Sequence, residues 1–235
     1  MPVRLMGRAL LPTGALRAMS ANGARRLIWV PIVHAKADLG NMSGLVRDVY
    51  IRRMGKAKYE HHVKTIDEMW KKTRQQIERL NLSYDVVRLY QDGLPNCGRE
   101  VEIVRDLAQA GSPNHRLLAD LMEKGARITG TESPELLLEE YELARQALLA
   151  AHSRQAAALA PRQKELGQRL LDRRDSYIAR RIDGTLAAGE TGMIFLGLLH
   201  SLAGRLPPSI QVILLRDACR LLGDKDGAGP APQGA

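Results

Sequence analysis

The sequence contains few cysteines and few aromatic residues, and each shortage excludes a class of protein. Its two cysteines, Cys97 and Cys219, lie far apart and form neither a CxxC nor a CxxCH pattern. This spacing argues against a cysteine-based zinc site and against covalently attached haem, and it is typical of free thiols in a reducing compartment. Aromatic side chains make up only 4% of the chain, which leaves little for stacking on nucleic-acid bases.

Long apolar runs and nucleotide-binding motifs are also missing. No apolar run approaches the ~18 residues that a membrane-spanning helix needs, and neither a P-loop nor a GxGxxG fingerprint occurs. We therefore expect a cytoplasmic protein that binds neither nucleic acid nor a membrane. Its oligomeric state cannot be read from these features.

Acidic residues are absent from residues 1–26, which carry five arginines. Removing these arginines from the net charge of +9 leaves +4 for the rest of the chain. The apolar stretch within this segment is interrupted by Pro12 and Gly14, which is poor for the core of a signal peptide. We interpret residues 1–26 as a disordered basic leader.

Apolar, strand-like segments alternate with helical patterns along the remaining chain, and this alternation favours an α/β fold with a mostly parallel sheet. The strand candidates are residues 27–34, 84–90, 126–131, 192–200 and 210–215. We expect about five strands flanked by helices in a single domain over residues 27–216. A long helical insertion at 134–188 precedes the last two strands, and residues 217–235 are expected to be a helix end and a disordered tail.

Four of the strand candidates end on a side chain capable of chemistry: His34, the pair Gln91 and Asp92, Glu132, and His200. The carboxyl ends of parallel strands line one edge of a sheet, so these side chains are expected to converge on one pocket. Imidazoles can bind a metal or act as bases near neutral pH, and a buried carboxylate can be a base or a ligand.

Each of these residues also has a structural interpretation. A terminal histidine can cap a nearby carbonyl, and Glu132 would be favoured by the dipole of the helix that begins at Ser133 and Pro134. Asp92 precedes a glycine and is more typical of a turn.

Other chemically capable residues gave weaker signals. Cys97 is a weak candidate for a nucleophile. The arginines between 169 and 181 alternate with aspartates, which favours a solvated, ion-paired helix face. The remaining histidines are interpreted as surface residues: His61, His62, His115 and His152.

The C-terminal part of the chain resembles the TraB, GumN and Tiki proteins, which belong to a superfamily with erythromycin esterase and ChaN. The resemblance is carried by Arg174 and Asp175, the amphipathic helix after them, the turn at Gly189 and the GxxH motif that ends at His200. Residues 31–34 correspond to a first GxxH motif in which proline replaces glycine. Asp175 stands where many TraB-like members have asparagine.

This resemblance implies a site composed of His34, Glu132, Arg174 and His200. It suggests a peptidase- or esterase-like hydrolase that acts on a small-molecule or peptide substrate, either with or without a metal. In the first case His34, Glu132 and His200 hold a divalent Zn, Mn or Co ion; in the second the histidines activate a water and Glu132 is the base. Arg174 orients an anionic group in both. ChaN-like members imply an alternative, a non-catalytic protein that binds haem or another small ligand. A third alternative is a protein-interaction module whose helices at 134–188 bind a partner.

Overall fold

The computed structural model describes residues 25–33, 43–150 and 156–216, and these form an α/β fold. The first strand begins two residues before the predicted start, so Arg25 and Arg26 belong to the sheet and not to the leader. A short 3-10 helix at Tyr84–Val86 precedes the second strand. In chain order the other elements are β1 (Arg25–Ile32), α1 (Ser43–Met54), α2 (Lys56–Arg79), β2 (Val87–Gln91), α3 (Glu100–Gln109), α4 (Pro113–Glu123), β3 (Arg127–Thr129), α5 (Pro134–Ala150), α6 (Ala156–Thr185), β4 (Thr191–Gly197) and β5 (Ile210–Leu214).

The five strands form one parallel sheet in the order β3-β2-β4-β1-β5. The predicted parallel α/β fold with about five strands is confirmed, as is the long helix before the last two strands. Since every strand runs the same way, the carboxyl ends of β2, β3 and β4 lie side by side at one edge.

Both faces of the sheet are covered by helices, and successive side chains of each strand point to opposite faces. The protein therefore has a buried apolar cluster on each side of the sheet. Ile28, Val30 and Phe195 pack with α2 and α4 on one face, around Trp70 and Leu118. The other face carries Leu27, Tyr90 and Ile194. These pack against α6 through residues on one helical stripe: Ile178, Ala179, Ile182 and Leu186.

Pro31 lies inside β1 although β1 has a neighbour on each side. The pairing of β1 with β5 ends at Trp29, whereas its pairing with β4 continues through Pro31 to Ile32. At Pro31 the strand therefore has only one partner, which is where a residue without an N–H is tolerated.

In the sequence, Gly111 and Gly125 predict the ends of two short helices, and Pro161 predicts a break in a longer one. The two helix ends are confirmed, and the break at Pro161 is wrong. Gly111 and Gly125 follow α3 and α4 with φ of 100° and 109°, the left-handed conformation that glycine adopts at low cost. Pro161 does not end a helix, because α6 already begins at Ala156 and contains it. Pro161 is the sixth residue of α6, so its missing N–H removes one helical hydrogen bond, and the helix continues through it.

Candidate functional site

The ends of three adjacent strands and one helix bring five charged residues together. Asp92 directly follows β2, Glu132 lies three residues beyond β3, and His200 lies three residues beyond β4. Arg174 and Asp175 approach from α6, and all five residues are at most 7% exposed. We call Asp92, Glu132, Arg174, Asp175 and His200 the charged cluster.

Arg174 is the central cation of the charged cluster. Its Nε donates to Oε2 of Glu132 at 2.6 Å, and its Nη2 donates to Oε1 of Glu132 at 2.7 Å and to Oδ1 of Asp92 at 2.8 Å. Nη1 pairs with Glu140 on α5, whose side chain is 48% exposed. Each guanidinium nitrogen thus has a carboxylate partner, as a buried charge requires.

His200 is held by a carboxylate on each side of its ring. Nδ1 lies 2.6 Å from Oδ1 of Asp175, and Nε2 lies 3.5 Å from Oδ2 of Asp92. The second oxygen of Asp175 accepts the N–H of Ser201 at 2.9 Å. These contacts fix the ring and direct Nε2 toward the acids at the strand ends.

Backbone groups position the two strand-end acids. Oδ2 of Asp92 accepts the N–H of Gly197 at 3.0 Å, and Oε1 of Glu132 accepts the N–H of Gly93 at 2.8 Å. A Cβ added at Gly197 would lie 3.0 Å from that Asp92 oxygen, so the glycine of the GxxH motif permits this close approach. Asp92 forms the turn that its Asp-Gly sequence predicts and also directs its carboxylate into the cluster.

Burial and pairing act in opposite directions on the pKa values of the cluster. Burial raises the pKa of Glu132, the Arg174 guanidinium opposes this effect, and the Asp92 carboxylate adds to it, with a net increase. Burial alone would lower the pKa of His200, but the bonds to Asp175 and Asp92 outweigh it and raise that pKa to about 9. The imidazole is therefore protonated at neutral pH in the metal-free protein.

The raised pKa of His200 predicts that the metal-free protein loses stability at alkaline pH. Since the pKa rises from 6.5 to about 9 on folding, its contribution is fully present below about pH 6.5 and is lost as the pH rises through 9. A loss of about 3 kcal/mol is expected from a shift of this size. Urea unfolding between about pH 6 and pH 10 measures it.

The matched control for this pH dependence is His200→Gln, which cannot titrate. The difference in unfolding free energy between the native protein and this variant should shrink toward high pH. A difference that stays constant across the range would show that His200 does not carry the predicted proton.

Three residues of the cluster offer a donor set for a metal ion. Asp92, Glu132 and His200 each provide one ligand atom, and these atoms lie within 4.8 Å of one another. Two carboxylates and one imidazole suit divalent ions such as Zn or Mn. The cluster could therefore hold a metal ion, provided that Arg174 shares Glu132 with it.

The structure places the other sequence candidates as follows. His34 and His152 lie outside the described residues. Gln91 is buried, but strand alternation turns it to the opposite face from Asp92. Cys97 is an exposed free thiol in the loop after β2. The interpretation of His115 as a surface residue is wrong, because it is 5% exposed and its Nδ1 lies 2.8 Å from Oγ of Ser112, which caps α4.

Sequence reasoning did not place Asp175 in the site, although the resemblance includes it, and it gave too little weight to Asp92. For Arg174 a second signal was present besides the resemblance, since this residue falls on the stripe of Leu170, Ile178 and Ile182 at intervals of four residues. A charged residue on an apolar stripe is buried and needs a partner of opposite charge. No comparable periodicity distinguishes Asp92 from an ordinary turn residue.

A large cavity is separate from the cluster. It has a volume of about 1160 Å³ and lies between α2 and the ends of β1 and β5, with walls that include Trp29, Met69 and Leu198. Its rim contains Val33 and Arg216, from which the chain continues into segments outside the described residues. None of the five cluster residues lines it, so we do not assign it to the site.

Comparison with protein-family models, with curated proteins and with solved structures gave no match. The resemblance to the TraB, GumN and Tiki proteins consequently rests on the residues of this chain and stays a prediction. In the described part of the chain, no helix combines the length and the apolar character needed to cross a membrane.

Proposed function

We propose that the protein is a hydrolase with the charged cluster as its active site and with a divalent metal ion bound by Asp92, Glu132 and His200. The observation that carries this proposal is the proximity of these three ligand atoms at the carboxyl edge of a parallel sheet. Ligand sites of open α/β sheets occur at this edge. The reaction adds water across an ester or amide bond and yields a carboxylic acid with an alcohol or an amine.

The residue behind His200 supports a role for this histidine as a ligand. Metal-binding histidines commonly donate their second ring nitrogen to a carboxylate, which fixes the ring and increases its basicity. Asp175 occupies that position with a 2.6 Å contact to Nδ1, so Nε2 is the nitrogen left for an ion or a proton.

The charge balance of the cluster also favours a cation. Three buried carboxylates, on Asp92, Glu132 and Asp175, face two positive groups, Arg174 and protonated His200. A divalent ion would replace the proton on His200 and compensate the remaining acid. Bound there, such an ion would lower the pKa of a water molecule and polarise a carbonyl oxygen.

Arg174, Glu132 and Asp175 each have a further role in the proposed reaction. Arg174 keeps a bond to Glu140 at the half-exposed side of the cluster, from which it can orient an anionic group or a developing oxyanion. Glu132, with its raised pKa, serves as ligand or as general base, and the Asp175 carboxylate holds His200 in one orientation.

The surroundings of His200 support the hydrolase more than the haem-binding alternative. A haem face needs apolar walls, whereas Asp92, Arg174 and Asp175 surround this imidazole. Polar and charged neighbours suit a hydrated ion and a water nucleophile instead.

Metal binding is expected to release about one proton near neutral pH, because His200 is protonated without the ion. Calorimetric titration of chelator-treated protein with Mn²⁺ or Zn²⁺, in two buffers that differ in ionisation enthalpy, measures this release. The apparent affinity should rise with pH up to about 9. The same samples, with and without the ion, are then assayed on a panel of p-nitrophenyl esters and chromogenic peptides.

The matched variants are Glu132→Gln, which removes a proposed ligand, and His61→Ala, which removes an exposed histidine on α2. Metal binding and hydrolysis should be lost in the first and unchanged in the second. Binding that is equally strong in both variants, or a native protein that neither binds an ion nor turns over any substrate of the panel, would refute the proposal.

A further inference from the structure

The large cavity beside α2 forms because β5 is shorter than its neighbour β1. The pairing of these two strands ends at Trp29 and Leu214, whereas β1 continues to Ile32. The chain is already helical at Leu215, and within the described residues no other strand pairs with this end of β1 on the β5 side. Residues of α2 line the gap, and we call it the α2 cavity.

The walls of the α2 cavity are mainly apolar. They include Trp29, Ile32, Met69, Leu198 and Leu214. Leu198 is 71% exposed, and Val33 at the rim is 38% exposed. Exposed apolar side chains scattered singly are normal, whereas several around one concave surface are typical of a ligand site. The volume of about 1160 Å³ slightly exceeds the roughly 300–1,000 Å³ usual for small-molecule sites, so a molecule with a long apolar chain fits.

The α2 side of this cavity is positively charged. One flank of the helix contributes residues at intervals of four: Lys64, Glu68, Lys72 and Gln76. Arg216 adds a third cation to the lining, in which Glu68 is the acid among the described residues. The ion pairs that α2 makes in the described part of the chain involve Lys56 and Arg74. Neither Lys64 nor Lys72 is therefore neutralised by a carboxylate in this part of the chain.

This combination of walls and charge selects a class of ligand. Apolar walls favour an alkyl chain, because its transfer out of water is favourable. Lysine side chains lay their methylene stems along apolar surface and keep the ammonium group in water. Lys64 and Lys72 can thus meet an anionic head group at the mouth while the tail of the same molecule fills the cavity. A neutral apolar molecule would leave both charges unused.

We propose that the α2 cavity binds a long-chain fatty acid, with the alkyl chain along Trp29, Met69 and Leu214 and the carboxylate at Lys64 and Lys72. Burial of the chain supplies most of the affinity, up to about fourfold for each buried methylene. The two ammonium groups orient the acid and distinguish it from an alcohol. This inference does not rest on the proposed hydrolase, since none of the five cluster residues lines the cavity.

Titration of the full-length protein with cis-parinaric acid, a fluorescent fatty acid, tests the site directly. Binding of the monomeric probe should saturate at about one molecule per protein, and palmitate should displace it. In competition, affinity should rise from octanoate to decanoate to laurate, because each added methylene is buried. The tryptophan emission should fall as the probe binds, because Trp29 lies in the wall.

Substitutions on α2 test the role of charge with opposite signs. Lys72→Ala should weaken binding of the fatty acid by about three- to fivefold, the range for loss of an exposed ion pair. Glu68→Gln should strengthen it, because a like charge is removed from the carboxylate. Binding of the corresponding neutral alcohol should change in neither variant. Lys71→Ala is the matched control, since Lys71 is an exposed neighbour outside the cavity lining.

A cavity-filling variant tests the position of the alkyl chain. Thr65 is exposed on α2 and lines the cavity, so Thr65→Trp places an indole ring in the proposed path without altering the buried core. Probe binding should be lost while the thermal midpoint stays close to that of the native protein. Unchanged binding in a folded Thr65→Trp protein would place the fatty acid elsewhere.

Three further outcomes would overturn the proposal. The full-length protein contains the segments that follow Val33 and Arg216, so a failure of the monomeric probe to bind saturably would show that the cavity is not open to a fatty acid. An equal loss of affinity in Lys71→Ala and Lys72→Ala would indicate attraction to net charge alone. Binding to anionic phosphatidylglycerol vesicles without binding of monomeric fatty acid would assign the surface to a membrane instead.

Discussion

Replacing Arg174 with methionine is expected to lower the free energy of unfolding by about 3–5 kcal/mol, because it leaves a buried charge without its partner. Glu132 is 0% exposed, and both of its oxygens accept hydrogen bonds from Arg174. Protonation of Glu132 would remove the unpaired charge and reduce this loss of stability. Urea unfolding measures the loss, and the thermal midpoint should fall by roughly 10 °C for a domain of this size.

Arg173→Met is the matched control for this stability prediction. Arg173 is adjacent in sequence and also pairs with a glutamate, but its side chain is 57% exposed and that of Glu139 is 49% exposed. Such a surface pair contributes less than about 1 kcal/mol. If both variants lose the same stability, the buried pairing at Arg174 is not what stabilises the cluster.

A partial rescue would identify the cause of the Arg174 effect. In the double variant Arg174→Met, Glu132→Leu, both charges are replaced by apolar groups, and buried ion pairs replaced in this way are often close to neutral in stability. The double variant should therefore be more stable than Arg174→Met alone. A further loss on adding Glu132→Leu would indicate that packing, and not an unpaired carboxylate, dominates.

Replacing His200 with alanine is expected to lower kcat/KM of the hydrolytic reaction by more than about 100-fold, because it removes a proposed metal ligand and loss of a residue that only orients such a ligand already costs roughly 10–100-fold. Asp175→Asn should have a smaller effect and weaken metal binding by roughly 10–100-fold, as expected for a residue that orients a ligand. Initial rates on a substrate found by the panel, together with metal affinity, measure both effects.

His61→Ala serves again as the control, because it removes an exposed imidazole and should leave both quantities unchanged. An Asp175→Asn variant with native metal affinity and native kcat would show that the 2.6 Å contact to His200 is structural only. A His200→Ala variant with full activity would exclude His200 from the chemistry altogether.

Local sequence patterns were sufficient to predict most of the strands and helices. The apolar runs that became β2, β4 and β5 are short and lie between helical patterns, and a chain with this alternation buries a parallel sheet between helices. Gly111 and Gly125 indicated helix ends because only glycine enters the left-handed region at low cost. Pro161 wrongly predicted a helix break, because a proline lacks the N–H that a helix interior uses, yet α6 continues through it.

Site residues were harder to recognise from the sequence than strands and helices. His200 and Glu132 stood out because each follows an apolar strand, where a polar side chain lies at the sheet edge. Asp92 could not be separated from a turn residue, since an Asp-Gly turn and a buried carboxylate have the same local sequence. The importance of Asp175 depends on its 2.6 Å contact with His200, a residue 25 positions away.

The sequence by itself determined the class of fold, the succession of strands and helices along the chain and the polar residues at the strand ends, because periodicity and turn chemistry act between neighbouring residues. Only the tertiary structure decided the order of the strands within the sheet, the binding of Glu132 and Asp92 by Arg174, and the contact of Asp175 with His200. These contacts join elements 25 to 82 residues apart. Their energies depend on burial and distance, which no local pattern of residues contains.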